Sequence, residues 1–187
     1  MISGPGDADL FAFLEGAAAR VLAMDRRSLV ELIAQNVRIK AAVVSGDERE
    51  EAPDEAGGRA LLNLGHTFAH AIETIPGAHA PGLPAPLKHG EAVAIGLSAA
   101  SDLARRLGTL ADEDHARVLA LLRALGLPER AEGLLSTPDL IARMRDDKKV
   151  RGDRLRFVVP QGLGGARVRS DVPAELVGEA LESVRAV

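Results

Sequence analysis

Two histidines one helical turn apart, and a third that opens the next apolar stretch, set the strongest constraint on how this chain folds. His66 and His70 lie in the run Leu61-Leu62-Asn63-Leu64-Gly65-His66-Thr67-Phe68-Ala69-His70-Ala71-Ile72-Glu73, and His89 begins His89-Gly90-Glu91-Ala92-Val93. With His79 between them, four of the five histidines fall between positions 66 and 89. Residues i and i+4 of a helix share a face, so a fold that joins the two stretches gathers three imidazoles. Imidazole nitrogen suits zinc and similar divalent ions, and a catalytic zinc keeps three protein ligands and one open position. A lone HxxxH pair is more often an accident of a surface or a core. His89 at a helix start, where N–H groups and the positive dipole end gather, shifts the reading toward a metal site of His66, His70 and His89. His79, in a loop of proline and glycine, reads as a solvated bystander.

The rest of the composition narrows the fold and the chemistry. Among 187 residues, 47% are apolar, yet the only aromatic side chains are four phenylalanines. The core must be built of Ala, Leu, Val and Ile, which suits close helix packing, and the length allows one domain with a sizeable core. A net charge of −4 gives no global basic field for nucleic acid. Without cysteine there is neither disulfide nor thiolate ligand, so a metal must use histidine, carboxylate or water, and a cytoplasmic setting is expected. The N-terminal residues lack the basic-then-apolar pattern of a targeting signal, and no apolar run reaches the length of a membrane span.

Helical periodicity predicts helices over residues 8–22, with Asp7 as N-cap, and over 27–44. The acidic segment 45–58, with proline and glycines, reads as an exposed loop. One helix is expected from 59 to 74, carrying both His66 and His70, followed by a second loop at 76–88. Few apolar anchors are visible in either loop, so both are expected to be mobile. Helices follow over 89–107 and 111–125, the latter stopped by Gly126. Thr137-Pro138-Asp139 reads as a capped start for a helix over 140–147. The period then changes: Leu155, Phe157 and Val159 alternate with Arg154, Arg156 and Val158, and residues 166–169 supply a return strand. Pro173 opens a final helix to about residue 184. The expected fold is therefore a mainly α, multi-helix domain with a small β-hairpin near the C-terminus.

On a continuous helix from residue 59, Arg59, Asn63, His66 and His70 form one stripe. Such a stripe is costly if buried and unpaired, and a solvated face is usually richer in Lys and Glu. It suits a cleft that holds an anionic, hydroxylated ligand. Lys40, near the end of the second helix, and the cluster Lys148, Lys149 and Arg151 read individually as surface charge; a phosphate-bearing ligand would draw some of them to the cleft.

Taken in order, Lys40-Ala41-Ala42-Val43-Val44, Asp47-Glu48-Arg49-Glu50, the block from Arg59 to Glu73, His89-Gly90-Glu91-Ala92-Val93-Ala94 and Asp147-Lys148-Lys149-Val150 resemble 3-dehydroquinate synthase over nearly the whole chain. The GHTFxHAIE and HGEAVA blocks are specific together, the DKK block less so. The chain departs from the family's pattern in longer loops before Arg59 and before His89. The resemblance implies a two-domain enzyme with an N-terminal NAD-binding domain and a mainly α C-terminal domain for metal and substrate. Only the second is matched here, over residues 1–187. There is no strand–GxG–helix unit for a dinucleotide, and the family's third zinc ligand, a glutamate, belongs to a segment upstream of Met1. The chain thus reads as a C-terminal domain, excised or truncated, that lacks its NAD domain.

By this resemblance the metal ligands are His66 and His89, and His70 becomes a substrate-side, catalytic histidine near the departing phosphate, in place of the three-histidine site. Lys40, Arg59 and Asn63 match substrate-binding positions, as does one of Lys148 and Lys149. A catalytic glutamate four residues before the arginine corresponds to Glu55, with Glu50 as the alternative. The implied cofactors are Zn2+ or Co2+ in this domain and NAD in the missing one. The implied reaction converts the seven-carbon keto-sugar-acid phosphate DAHP to 3-dehydroquinate in the shikimate pathway, in a homodimer, with no nucleic acid or membrane involved. This chain alone is expected to be inactive. The alternatives are another sugar-phosphate cyclase, a metal-dependent polyol dehydrogenase or a non-catalytic metal-binding or dimerising module.

Overall fold

The computed structural model describes residues 7–47, 58–84, 86–146 and 155–186. Seven α-helices carry the fold: α1 (Asp7–Leu22), α2 (Arg26–Gly46), α3 (His66–Glu73), α4 (His89–Arg106), α5 (Asp112–Ala124), α6 (Thr137–Asp146) and α7 (Ala174–Ser183). A 3-10 helix, Gly58–Asn63, precedes α3, and strands β1 (Phe157–Pro160) and β2 (Ala166–Arg169) form an antiparallel hairpin with Phe157 opposite Arg169. Mainly α architecture with one small hairpin is what the periodicity predicts. Among the described residues, no helix is long and apolar enough to cross a membrane.

The centre of the fold is α4. From Ala92 to Ala104 its buried residues include Ala92, Ala94, Ile95, Gly96, Ala99, Ala100 and Leu103, which cover its whole circumference. A helix that is apolar all round belongs inside. Helices α3, α5 and α7 and strand β1 pack around it. A smaller cluster of Phe11, Ala94, Val118, Leu121 and Leu122 ties α1 and α5 to it. Small residues set the distance between α3 and α4. A Cβ on Gly96 would lie 2.3 Å from the Gly65 carbonyl oxygen, and Gly65 itself has φ +80.

That left-handed residue overturns the single helix expected over residues 59–74. Gly65 cannot continue a right-handed helix at φ +80, so the segment divides into the 3-10 helix and α3. Arg59 N–H donates to Asp47 Oδ2 at 2.9 Å, fastening the 3-10 helix to the end of α2. Further small revisions follow local chemistry. Asp7 is the first helical residue rather than the cap. Asp25 caps α2 by accepting from Ser28 N–H at 2.8 Å. Helix α6 starts at Thr137, three residues earlier than expected, because proline is tolerated in a first turn.

The two strands of the hairpin differ: β2 alternates between buried and more exposed residues, whereas all four residues of β1 are buried. Strand β1 is gripped at both ends instead of lying half in water. Phe157 packs on Phe68 of α3 with ring centres 5.5 Å apart. Thr67 Oγ1 donates to the Arg156 carbonyl at 3.0 Å, and Thr109 Oγ1 to the Pro160 carbonyl at 2.8 Å. The loop after α3 also has anchors that its composition hid. Ala78, Ala80 and Leu87 are buried, and His79 and Glu132 exchange backbone hydrogen bonds at 3.2 and 2.8 Å. His79 is therefore a structural clasp, its ring 3.3 Å from the Glu132 carboxylate, and not a solvated bystander.

A polar network crosses the apolar centre where α4 meets α5 and α7. Asp102, 3% exposed, accepts from Arg105 and Arg106, and Arg106 also pairs with Glu179 of α7. Ser101 Oγ gives its proton to the Ser98 carbonyl at 2.8 Å, so at 2.9 Å it accepts from Nδ1–H of His115 on α5. Burial alone would push the Asp102 carboxyl up. The hydrogen bonds from Arg106 and Arg105 outweigh this and hold it below the usual 3.8. Burial pushes the His115 imidazole below 6.5. Both shifts act in the same direction: the unfolded chain binds these protons more readily than the folded one. The His115 contribution is complete above about pH 6.5 and is lost as pH falls through its lower folded value; the Asp102 contribution is lost below about pH 4. Acid titration of the melting temperature is expected to fall in two stages. His115→Gln, which keeps a side-chain donor, should remove the upper stage only.

Candidate metal centre

Helix α3 is eight residues long and carries its three titratable side chains at i, i+4 and i+7: His66, His70 and Glu73. These positions share one face. His89, the first residue of α4, lies opposite. The two helices run in opposite senses, with Gly65 against Gly96 and Leu97 at one end and Glu73 against His89 at the other. Ring centres are 5.7 Å apart for His66 and His89, 5.7 Å for His66 and His70, and 6.5 Å for His70 and His89. The fold thus gathers the three imidazoles that the spacing suggested.

His66 and His89 have the same internal arrangement. Nδ1 of His66 faces the Leu64 carbonyl at 3.2 Å, and Nδ1 of His89 faces Glu73 Oε2 at 2.7 Å. Both partners are acceptors, so Nδ1 bears the proton in each ring and Nε2 is the atom left to meet a cation. Two imidazoles on one tetrahedral zinc, with Zn–N of about 2.0–2.1 Å, have ring centres about 5 Å apart. The observed 5.7 Å is close to that spacing, and the donor chemistry fits zinc or cobalt. Among the described residues, no group of three or more His, Asp or Glu side chains is arranged to hold a metal ion. His66 and His89 would therefore supply two ligands toward a shell completed by other donors. The site is open: the His89 side chain is 62% exposed.

The stripe Arg59–Asn63–His66–His70 does not form. A 3-10 helix has about three residues per turn, so positions four apart diverge by about 120°, and Gly65 then redirects the chain. Arg59 and Asn63 are both exposed on the 3-10 helix, ahead of the turn that launches α3. Lys40 borders an open hollow of about 360 Å³ together with Asn36, Val37, Ile39 and Leu62. This places it beside the residue that precedes Asn63. Glu50, Glu55, Lys148, Lys149 and Arg151 lie outside the described residues. Glu73, which the sequence offers only as a substitute ligand, instead meets the His89 ring; its i+7 spacing from His66 is the signal that it shares the histidine face.

Two antiparallel helices thus bring the imidazoles of His66, His70 and His89 to within 5.7–6.5 Å of one another. The 3-dehydroquinate synthase C-terminal family model matches residues 3–150. The chain is 47% identical over 181 residues to a 3-dehydroquinate synthase of Opitutus terrae and 44% identical over 185 residues to one of Cereibacter sphaeroides. These alignments cover 97% of the chain but only 47% of each relative, so the chain spans about half their length. Among solved structures, ValA, a 2-epi-5-epi-valiolone synthase from Streptomyces hygroscopicus subsp. jinggangensis with NAD+ and Zn2+ bound, matches with a TM-score of 0.79 at 26% identity. That match covers 98% of this chain and 47% of the other. A 2-deoxy-scyllo-inosose synthase shares the fold with a TM-score of 0.61 at 21% identity over 84% of this chain and 40% of that one. The chain belongs to the 3-dehydroquinate synthase C-terminal family.

Proposed function

We propose that this chain is the metal- and substrate-holding half of an enzyme that converts DAHP to 3-dehydroquinate with release of phosphate, working as a homodimer in the cytoplasm. The observation that carries the reading is the His66–His89 pair, whose Nδ1 atoms are engaged and whose ring centres are 5.7 Å apart. A divalent ion bound there would polarise a ketone or hydroxyl oxygen of the substrate and lower the pKa of that hydroxyl. The chain's own side chains do the rest of this half's work. The Arg59 fork suits a carboxylate or phosphate as a bidentate partner. The Asn63 amide suits a hydroxyl, and the Lys40 ammonium an anionic group. His70, one turn along α3 from His66, would hold or pass a proton beside the departing phosphate. On this reading, Lys148 or Lys149 and Glu55 or Glu50 join from outside the described residues, and NAD belongs to the part of the relatives' length that this chain does not span.

The test is a chimera in which this segment replaces its counterpart in the Cereibacter sphaeroides enzyme. With DAHP, NAD and Zn2+, the chimera is expected to form 3-dehydroquinate, and the segment alone to form none. A folded chimera that turns over a different sugar phosphate in place of DAHP would reassign the chain to another cyclase. Turnover by the segment alone would overturn the division of labour.

A further inference from the structure

We propose that Glu73 is a positioning residue: its carboxylate fixes the His89 ring so that Nε2 is delivered to the cation. The inference rests on the two-histidine reading above. The two rings are oriented by different means. His66 is the first residue of α3 and gives its Nδ1 proton to a backbone carbonyl two residues back, at 3.2 Å. That acceptor belongs to the turn around Gly65 and is fixed by the fold. His89 is the first residue of α4, with its side chain 62% exposed, and its ring has a side-chain partner: Glu73 Oε2 at 2.7 Å. Glu73 is itself well placed for this. It ends α3, its side chain is 24% exposed, and it lies two turns from His66 on the same helix face. One short helix therefore carries a ligand at its start and the orienting group of the other ligand at its end.

An exposed imidazole without a partner samples rotamers and both neutral tautomers, and only one tautomer leaves Nε2 unprotonated. A carboxylate at Nδ1 selects that tautomer, limits rotation and makes the ring a better donor. Carboxylates in this position are typically worth about 10–100-fold in metal affinity. Glu73 thus contributes through His89 and is not itself a ligand.

The experiment measures Co2+ and Zn2+ affinity of the full 187-residue chain by competition with a chromophoric chelator, alongside melting temperature and the Co2+ visible spectrum. The variants are Glu73→Ala, Glu73→Gln and His89→Ala. Glu73→Ala is expected to weaken binding about 10–100-fold with an unchanged metal-free melting temperature. Glu73→Gln keeps an acceptor at the same place and should recover most of that loss. The Co2+ spectrum at saturation should keep its shape in both, because the ligand set is unchanged. Equal affinity of Glu73→Ala and wild type, with His89→Ala impaired, would overturn the positioning role and leave the metal site standing. A changed spectrum at saturation would make Glu73 a ligand and overturn it differently. No metal binding by the wild-type chain, or none lost in His89→Ala, would remove the two-histidine reading and this inference with it.

Discussion

Gly96→Ala is expected to destabilise the chain by about 2–4 kcal/mol and to weaken metal binding at least tenfold. The added methyl would lie 2.3 Å from the Gly65 carbonyl oxygen and 3.1 Å from the Ala69 nitrogen. Both are backbone atoms, so no rotamer change makes room. The clash must be relieved by moving α3 away from α4, which opens the packing of Ala69, Ala92 and Ala99, each 0% exposed. Overpacking a tight core costs about 1–3 kcal/mol, and a contact that only backbone can relieve belongs in the upper part of that range or just above it. The functional loss follows from the same movement. His66 adjoins Gly65 and His89 lies on α4, so any widening at this crossing changes the 5.7 Å between their rings. Chemical denaturation and chelator competition on the same preparation measure the two effects. As a control, a methyl on Gly90, which meets nothing within 4 Å, should leave stability nearly unchanged.

The same crossing shows where sequence reading succeeds and where it stops. Apolar residues at helical spacing located α1, α2, α4 and α5 to within about two residues, because amphipathic periodicity is a local property. The histidine spacing anticipated that the rings of His66 and His70 lie together, 5.7 Å apart, because i, i+4 geometry is local too. What failed depended on partners distant in the chain. The backbone at Gly65 turns left-handed so that α3 can approach Gly96, and nothing near residue 65 announces residue 96. A single helix was therefore read through the break, and with it a polar stripe that the 3-10 helix disperses. The alternation of residues 154–159 marked a strand but could not show that all of β1 is buried, because that depends on what grips its ends. His79 looked idle in a loop of proline and glycine because Glu132 is 53 positions further along the chain. The resemblance fixed which histidines to treat as ligands, and geometry then added the carboxylate behind one of them.

That division of roles among the histidines leads to the other large effect. His66→Ala and His89→Ala are each expected to reduce Zn2+ affinity more than a hundredfold, and the double variant to be little worse than either single one. Two donors on one ion act as a chelate, so removing the first leaves the second to bind as a lone, solvent-exposed imidazole. Their effects are therefore not additive. His70→Ala should change affinity only a few-fold if, as proposed, His70 serves the substrate side of the site and not the ligand set. A thermal readout gives an independent measure. Zinc at a hundred times its dissociation constant stabilises the folded state by about 2.7 kcal/mol, and that upward shift in melting temperature should vanish in His66→Ala and His89→Ala but persist in His70→Ala. The decisive comparison is between positions 70 and 89. Their rings are 6.5 Å apart and each is 5.7 Å from the His66 ring, so ring spacing alone does not separate the assignments. If His70→Ala costs as much affinity as His89→Ala, the ion is held by three imidazoles and the phosphate side of the site must be built from other residues. If only His66 and His89 matter, the rest of the shell comes from water or from donors outside the described residues. On the proposed reading, adding in trans the part of the Cereibacter sphaeroides enzyme that this chain does not span should then tighten zinc binding.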